Sequence, residues 1–431
     1  MTTGESSSSR TRPAPSLRGG PPESRRVREA SRLAGRPPSG HNDVVDVHAT
    51  AARFYRDQVP GSWVPGYLAG RGLGPDIWRR WQVGYAPAGW DALTCHLRAS
   101  GYPDALIEAA GLARRSRRGT LADTFRDRAV FPIRSARGTI VAFTGRAAGQ
   151  GGPAVPRYLN SPATVLYDKS QALFGLWEGR GALAAGAVPV IVEGPLDAIA
   201  VSAAGRHRYA PVAPCGTALT AAQVAALDRA ARLPQAGVLV AFDADQAGRR
   251  AAVRAYHLLA PFTTATAAMA AVFPAGHDPA QILRDRGPAA LAAMLSSRTQ
   301  PLADLVVDAE VNRWTRWLRF AEGRINALHA AAPLIAAMNP SDVARQVARL
   351  ARRLGLEHAT VTRAVTDALT AAGPATTRAG PSRRPTARLR LTARQEELPG
   401  LAGTALRLSS QDSPHDSSHA TRVHSGSSTH P

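Results

Sequence analysis

The sequence predicts an α/β fold built around a parallel β-sheet. Two short apolar runs, at 188–192 and 237–242, have the length and composition of strands that are buried on both faces. Between about 186 and 296, strand-like and helical segments alternate along the chain, which is the pattern that βαβ units require. Each apolar run is followed directly by acidic residues, so we expect those acids at one edge of the sheet.

The block before this sheet mixes helices and strands. From 49 to 185 the chain combines helices anchored by aromatic residues with strand-like segments at 129–133 and 139–143. A turn through 135–138 is expected to join those two strands as a hairpin. This block is therefore predicted to be an α+β subdomain.

The block after the sheet is predicted to be helical, from 299 to 371. Its helices are expected to be separated at Pro301, Asn339-Pro340 and Gly355. The two ends of the chain, 1–48 and 372–431, are rich in Ser, Pro, Gly and Arg and lack hydrophobic periodicity. They are predicted to be a disordered basic arm and a disordered tail, although the histidines of the second also admit a metal-binding tail.

The composition indicates an acidic partner. The formal charge is +21 and the isoelectric point about 11.3, which favours nucleic acid as that partner. Of the 53 basic residues all but Lys169 are arginine. A GC-rich genome would also enrich arginine, but a lone remaining lysine indicates a specific role.

Several classes of protein are excluded. Lys169-Ser170 is not preceded by a glycine-rich loop, so no Walker-type ATPase motor is present. The two cysteines, Cys95 and Cys215, cannot form a four-ligand zinc site, and no zinc is expected. No signal peptide and no run of about 18 apolar residues is seen, so we expect a soluble, cytoplasmic protein with no membrane partner.

The acids after the two apolar runs predict a metal site. Glu193 follows the first run, and Asp243 and Asp245 follow the second. Because the two aspartates are two residues apart, they are expected to leave a strand end on the same side. Three converging carboxylates repel one another unless a cation lies among them, and Mg²⁺, or Mn²⁺ in its place, suits such oxygen ligands. The pattern indicates phosphoryl or nucleotidyl chemistry.

Other polar residues near these acids have two interpretations. Gly194 lets the backbone pass close to a ligand. Asp197, in the first turn of the next helix, either supports the site or compensates the helix dipole. Asp278 precedes a proline and is typical of a helix N-cap. Thr220 with Gln223 predicts a capping box.

Four motifs in order resemble the TOPRIM domain, a Rossmann-like βαβ domain, in its bacterial DnaG-type primase form. They are Glu193-Gly-x-x-Asp197, Gly216-Thr217-Ala-Leu-Thr220, Phe242-Asp-x-Asp-x-Ala-Gly248 and Asp278-Pro279. Upstream stretches resemble the rest of the primase core: Tyr67-Leu68 with Arg71-Gly72-Leu73, Gly84-Tyr85-Ala86-Pro87, Phe125-Arg126-Asp127-Arg128, Phe131-Pro132-Ile133, the segments 142–146 and 157–162, and Lys169 ahead of 173–176. The similarity is collinear over about 50–370.

The resemblance implies a TOPRIM catalytic domain at 186–298, between an N-terminal primase-core subdomain at 49–185 and a C-terminal helical subdomain at 299–371. It implies that Glu193, Asp243 and Asp245 are catalytic and hold the metal, with Asp197 and Asp278 as further acids of that site. The residues that it implies for nucleotide or DNA binding are Arg146, Arg157, Asn160, Lys169, Gly194 and Thr217.

The function implied is that of a DNA primase: a DNA-directed RNA polymerase that makes short RNA primers from ribonucleoside triphosphates on single-stranded DNA. The host replicon is expected to be a plasmid, a phage or an integrated element. Two alternatives stay open, a non-catalytic single-stranded nucleic-acid-binding replication factor and a TOPRIM-type nuclease.

The chain also departs from that family. A cysteine-free basic arm stands where the family has a zinc ribbon, and we expect no recognisable helicase-binding domain at the end of the chain. A replicative helicase or a separate template-recognition protein is therefore the expected protein partner, and template choice depends on it.

Overall fold

A computed structural model describes residues 41–371, apart from 118, 150–154, 215, 217 and 264–267. The strands are β1 (Gly84–Ala86), β2 (Ala113–Arg115), β3 (Leu121–Asp123), β4 (Arg128–Arg134), β5 (Ile140–Ala147), β6 (Tyr158–Asn160), β7 (Leu173–Phe174), β8 (Val188–Ile191), β9 (Tyr209–Pro214), β10 (Val238–Val240), β11 (Ala268–Ala271) and β12 (Thr299–Pro301). The helices of the first half are α1 (His41–Asp57), α2 (Val64–Ala69), α3 (Pro75–Arg80), α4 (Ala92–Ala99), α5 (Asp104–Ala109), α6 (Leu176–Ala184) and α7 (Pro195–Gly205). Those of the second half are α8 (Ala221–Ala231), α9 (Leu233–Ala236), α10 (Gln246–Leu259), α11 (Pro279–Ser297), α12 (Leu302–Asn312), α13 (Ala321–Ala336), α14 (Pro340–Leu354) and α15 (His358–Ala371).

The first helix begins earlier than the sequence predicts. The basic arm was expected to extend to residue 48, but α1 starts at His41, so that boundary is wrong. Val44, Val47 and Tyr55 lie on one face of α1 and are buried in a cluster with residues of α4 and β5. Burial of this face explains why 41–48 are helical. The predicted arm over 1–40 and the predicted tail lie outside the described residues.

An antiparallel sheet forms the centre of the N-terminal block. Its strand order is β1-β4-β5-β6. The predicted hairpin between β4 and β5 is confirmed, and Ser135 N donates to Thr139 O at 2.9 Å in its turn. Every residue of β5 is buried. Helices α1, α4 and α5 cover one face of this sheet.

The second sheet has six strands and confirms the predicted α/β fold. Its order is β12-β11-β10-β8-β9-β7. The four central strands β11, β10, β8 and β9 are parallel, as the βαβ pattern requires, and β12 and β7 run antiparallel at the edges. The strands are shorter than the apolar runs: β8 ends at Ile191 and β10 at Val240.

Both faces of the central strands are buried. Val190 and Leu239 belong to an apolar cluster that also contains Phe131 of the antiparallel sheet. Ile191 and Val240 belong to a second cluster, which contains the buried faces of α12–α15. This alternation explains why the strands read as uninterrupted apolar runs. It also ties the N-terminal block to one face of the sheet and the helical block to the other.

The helices of the helical block are divided at the residues that the sequence predicts. Helix α12 begins after Pro301, α14 begins at Pro340, and α14 ends at Gly355, which has a left-handed conformation with φ +61°. Before α12, however, Thr299–Pro301 forms the edge strand β12, because Met269 of β11 pairs with Pro301. Ion pairs join α12 to α14 through Asp304 and Asp308 and the arginines Arg345, Arg349 and Arg353. In the described part of the chain no helix combines the length and the apolarity needed to cross a bilayer.

The double burial of the sheet predicts a large effect of Leu239→Ala. Leu239 is 3% exposed at the centre of the parallel strands, so removing its side chain should cost about 2–5 kcal/mol of unfolding free energy. Val165→Ala is the matched control, because Val165 is 79% exposed and its loss should change stability by about 0.5 kcal/mol or less. Urea denaturation followed by circular dichroism measures both. Equal midpoints for the two variants would contradict this packing.

Candidate active site

A cavity of about 370 Å³ lies where the parallel sheet meets the edge of the antiparallel sheet. On one side it is lined by residues that follow β8 and β10, and on the other by residues of β5 and β6. Its acidic lining residues are Glu193, Asp197, Asp243 and Asp278. Its basic lining residues are Arg71, Arg157 and Arg284. Asn160, Tyr158, Gly194 and Gly216 also line it.

The loops after β8 and β10 are tied together at this cavity. Glu193 lies two residues beyond the end of β8, and its Oε1 accepts a hydrogen bond of 3.2 Å from Asp243 N. Gly194 and Pro195 then begin helix α7. Because β8 and β10 are neighbouring parallel strands, their carboxyl ends bring Glu193 and Asp243 to the same edge.

Asp243 and Asp245 were expected to leave a strand end on the same side. That expectation relied on strand alternation, but β10 ends at Val240 and both aspartates lie in the loop beyond it. Asp245 is exposed, does not line the cavity, and caps α10 by accepting a hydrogen bond of 2.7 Å from Gly248 N. A Cβ at Gly248 would lie 2.1 Å from Asp243 O, so glycine is required where α10 passes the loop.

Asp278 fits both of its predicted roles. It forms a capping box at the start of α11: its Oδ1 accepts from Gln281 N at 2.6 Å, and its own N donates to Gln281 Oε1 at 2.9 Å. It also lines the cavity. Asp197 Oδ1 accepts from Ala280 N at 3.3 Å, which links the first turn of α7 to that of α11. The predicted capping box of Thr220 and Gln223 is confirmed as well.

The acids of the cavity raise one another's pKa. Burial, and then the charges of Glu193 and Asp278, raise the pKa of Asp243 to about 7. Burial is the main cause that raises the pKa of Glu193. Burial and the charges of Asp278 and Asp243 hold the pKa of Asp197 well above its usual range. The site therefore concentrates negative charge, which the charges of Arg157 at Asp243 and Arg254 at Glu193 offset only in part.

These acids fit a divalent cation in charge and in ligand chemistry. Asp243 Oδ1 is buried and has no hydrogen-bond partner among the described residues. Carboxylate oxygens next to such an unpaired atom suit a hard cation. Within the described ranges, however, no three side chains of Asp, Glu, His or Cys are close enough to hold a metal ion as they stand. Mg²⁺ usually takes only one or two carboxylates, with water and substrate phosphates as its other ligands, so it does not require a cluster of three acids.

Two arginines of the cavity were not predicted as site residues. Arg71 lies over the ring of Tyr67, with its guanidinium carbon 3.8 Å from the ring centroid. Arg284, on α11, donates from Nε to Asp285 Oδ1 at 2.7 Å. Arg71 lies in a stretch that resembles the primase core, which was a usable signal. No sequence motif indicated Arg284, because only the folded path of α11 brings it to the cavity.

Of the predicted binding residues, Arg157, Asn160 and Gly194 line the cavity. Two others do not. Arg146 is 2% exposed, donates from Nη1 to Ala147 O at 2.8 Å, and lies on β5 directly opposite Tyr158 of β6. Lys169 is half-buried, and its carbonyl oxygen accepts from Gln223 Nε2 at 3.0 Å. Thr217 lies outside the described residues.

Three family models match the chain in order. The N-terminal domain of the DNA primase catalytic core matches residues 55–180, and a Toprim-like model matches 190–283. A third, described as the DnaB-helicase binding domain of primase, matches 316–359. No helicase-binding domain was expected at the end of the chain, but this model matches one elsewhere. The matched segment lies in the helical block rather than at the end of the chain.

Named primases and solved primase structures are similar to the chain. A DNA primase of Pseudomonas putida is 39% identical over 276 residues, which are 62% of this chain and 39% of that protein. The chain thus spans less than half the length of that relative. The crystal structure of the RNA polymerase domain of Mycobacterium tuberculosis primase DnaG is 32% identical, with a TM-score of 0.64, and the match covers 72% of this chain and 99% of that one.

A structure of the DnaG primase catalytic domain bound to single-stranded DNA is 28% identical, with a TM-score of 0.60, and the match covers 74% of this chain and 98% of that one. The matches to both structures cover nearly the whole of a primase catalytic domain. The first two family models together span the lining residues of the cavity named above, except Arg284. We conclude that this chain belongs to the DnaG-type DNA primase family.

Proposed function

We propose that the chain is a primase: a DNA-directed RNA polymerase that joins ribonucleoside triphosphates into short primers on single-stranded DNA. The observation that carries this proposal is the single cavity in which four carboxylates face three arginines. Acids are needed there to bind the metal that activates the reacting oxygens, and guanidinium groups are needed to bind phosphates. The family to which the chain belongs supports the same reaction.

Glu193 and Asp243 are the proposed inner ligands of Mg²⁺ or Mn²⁺. Both line the cavity, and Asp243 supplies the buried oxygen without a partner. Asp197, Asp245 and Asp278 surround them, and their charges act on the same carboxyls. When bound, such an ion lowers the pKa of an attacking hydroxyl and stabilises the charge that develops at a phosphate.

The arginines have the complementary task of holding phosphates. Arg71, Arg157 and Arg284 line the same cavity as the acids, where a triphosphate chain or template backbone would meet them. Each guanidinium offers several donors in a plane, which suits paired contacts to phosphate oxygens. Asn160 adds an amide that can donate to the nucleotide and accept from it. Arg146 is proposed to act indirectly, by packing beside Tyr158, its cross-strand neighbour on β6.

The proposed partners are single-stranded DNA and a replicative helicase. The relative solved with single-stranded DNA supports the first, and the match of residues 316–359 to a DnaB-helicase binding domain supports the second. The positive charge of the chain favours a DNA partner over an acidic protein of unrelated function. We place this activity in the cytoplasm, where the bacterial chromosome is replicated.

Asp243→Ala tests the metal site directly. Loss of the buried ligand should reduce incorporation of labelled ribonucleotides on single-stranded DNA by about 100-fold or more, because the metal loses its best-placed oxygen. Asp367→Ala removes an exposed acid of α15 and is the matched control. Primers made equally well by the wild type and by Asp243→Ala would sink the proposal. Metal-dependent nicking of DNA without primer synthesis would instead indicate a nuclease.

Arg284→Ala tests phosphate binding. Loss of a charge-assisted contact to the triphosphate should raise the KM for ribonucleotides by about 10-fold, with a smaller change in kcat. Arg286→Ala is the matched control, because Arg286 lies two residues away on the same helix, is exposed, and does not line the cavity. Steady-state kinetics of primer synthesis compares the two. An equal rise in KM for both variants would show that only the overall charge matters.

Asp243→Asn tests the electrostatic strain of the metal-free site. Since the pKa of Asp243 is raised to about 7, the stability that its protonated form contributes is present below its ordinary pKa and is lost as pH rises through about 7. The amide of the variant is neutral at every pH, so the variant does not lose this stability. In EDTA, thermal melting should therefore show the variant to be more stable than the wild type at about pH 8, with the difference shrinking towards about pH 4. Saturating Mg²⁺ should stabilise the wild type more than the variant. Melting curves that coincide at both pH values would contradict this reading of the site.

A further inference from the structure

The segment 313–320 between α12 and α13 carries a surface that the proposed catalysis does not use. Its sequence is Arg-Trp-Thr-Arg-Trp-Leu-Arg-Phe, in which arginines alternate with aromatic and apolar residues. We call it the 313–320 loop. Trp317 is 58% exposed and Phe320 is 45% exposed. Large apolar side chains held in water at neighbouring positions indicate a binding surface.

The loop is held in a defined shape. Trp314 and Leu318 are half-buried and pack against the core of the helical block. Trp317 N donates to Trp314 O at 2.7 Å, and Phe320 N donates to Trp317 O at 2.9 Å. A Cβ at Gly323 would lie 2.0 Å from Trp317 O, so only glycine allows α13 to approach the loop this closely. The backbone of the loop is therefore held in one path, which places the two exposed rings beside each other.

Positive charge accompanies the exposed rings. The guanidinium of Arg319 lies 4.7 Å from the centroid of the Phe320 ring. Arg313 pairs with Glu310 at 3.0 Å, whereas neither Arg316 nor Arg319 forms an ion pair within the described residues. The rings of Trp317 and Phe320 are 6.5 Å apart between centroids and tilted by 40°. The loop thus offers two accessible ring faces with unpaired cations beside them.

We propose that the 313–320 loop is a second binding site for single-stranded nucleic acid, separate from the catalytic cavity. Bases would stack on Trp317 and Phe320, and Arg316 and Arg319 would contact the adjoining phosphates. Stacking platforms flanked by cations are the general means by which proteins hold unpaired strands without reading their sequence. The proposal does not depend on catalysis, because binding at this loop requires neither metal nor nucleotide.

A protein partner is the competing occupant, since residues 316–359 match a DnaB-helicase binding domain. A helix that docks on a protein groove usually presents apolar residues at a spacing of three or four. In this loop the apolar pair at a spacing of four, Trp314 and Leu318, faces the core. The exposed pair at a spacing of three, Trp317 and Phe320, lies between α12 and α13 and not on a helix. The side chains that stay exposed are amphipathic rings and arginines. The rings match the faces of bases, and the arginines match the charge of a phosphate backbone.

The test is photocross-linking of the full chain to an oligodeoxythymidylate in which some bases are 5-iodouracil, in EDTA. The iodinated base reacts with aromatic side chains on which it stacks, so peptide mapping reports the contact even though other basic segments also bind DNA. We expect a cross-link at Trp317 in the wild type and in Asp243→Ala. That second result separates this proposal from the catalytic one, because it requires no active site.

Two substitutions distinguish stacking from folding. Trp317→Phe keeps a ring and should retain cross-linking of the loop and binding of the oligonucleotide. Trp317→Ala should lose that cross-link and weaken binding by about 5-fold or more, with an unchanged melting temperature. Arg316→Gln with Arg319→Gln should lower the slope of log affinity against log salt by about 1–2, whereas Arg363→Gln, at an exposed position of α15, should lower it by less.

Two outcomes would overturn the proposal. One is that cross-links map only to other segments and are the same in the wild type and in Trp317→Ala. The other is that Trp317→Ala leaves DNA cross-linking intact but weakens binding of a DnaB-type helicase in a pull-down. The loop would then be a protein-docking surface.

Discussion

The burial of β8 and β10 on both faces is the constraint on which the rest of this structure depends. One face of these strands packs against the antiparallel sheet of the N-terminal block, and the other packs against the helical block. Strands buried in this way have only their ends open to solvent. Polar residues that follow the strands, such as Glu193 and Asp243, are therefore delivered to one place, beside the edge of the other sheet. The position of the cavity is a consequence of the packing.

This packing sets a cost that ligands can relieve. Carboxylates brought together by neighbouring strand ends raise each other's pKa. The hydrogen bond that Asp243 N donates to the Glu193 carboxylate holds the two strand ends together. Three arginines line the same cavity, but within the described residues none of them forms an ion pair with these acids. Arg284 pairs with Asp285 instead. A cation between the acids and a polyphosphate along the arginines would neutralise both sides. The site is thus arranged for two ligands of opposite charge, which is how a metal and a nucleotide bind together.

Local sequence patterns were sufficient for much of the fold. The parallel strands, the hairpin through 135–138, the capping box at Thr220 and the N-cap at Asp278 depend on residues close in sequence, and all are confirmed. The start of α1 was missed because its apolar face is sparse and is recognised only once the surface it covers is known.

The site was predicted less completely than the fold. Glu193 and Asp243 follow from strand ends, whereas Asp245 caps α10 and does not line the cavity, which depends on where the strand stops. Arg284 comes from a helix remote in sequence, and the burial of Arg146 depends on how β5 packs. Long-range placement of side chains of this kind is not encoded in any local motif.

The near-absence of lysine has a consequence for how this protein responds to its surroundings. All but one of its 53 basic residues are arginines, and a guanidinium keeps its proton at any pH at which a cell can live. A lysine-rich surface would lose part of its charge in alkaline conditions, but this one would not. Alkaline pH should therefore change its binding of a phosphate backbone very little, whereas the concentration of competing ions should change that binding strongly.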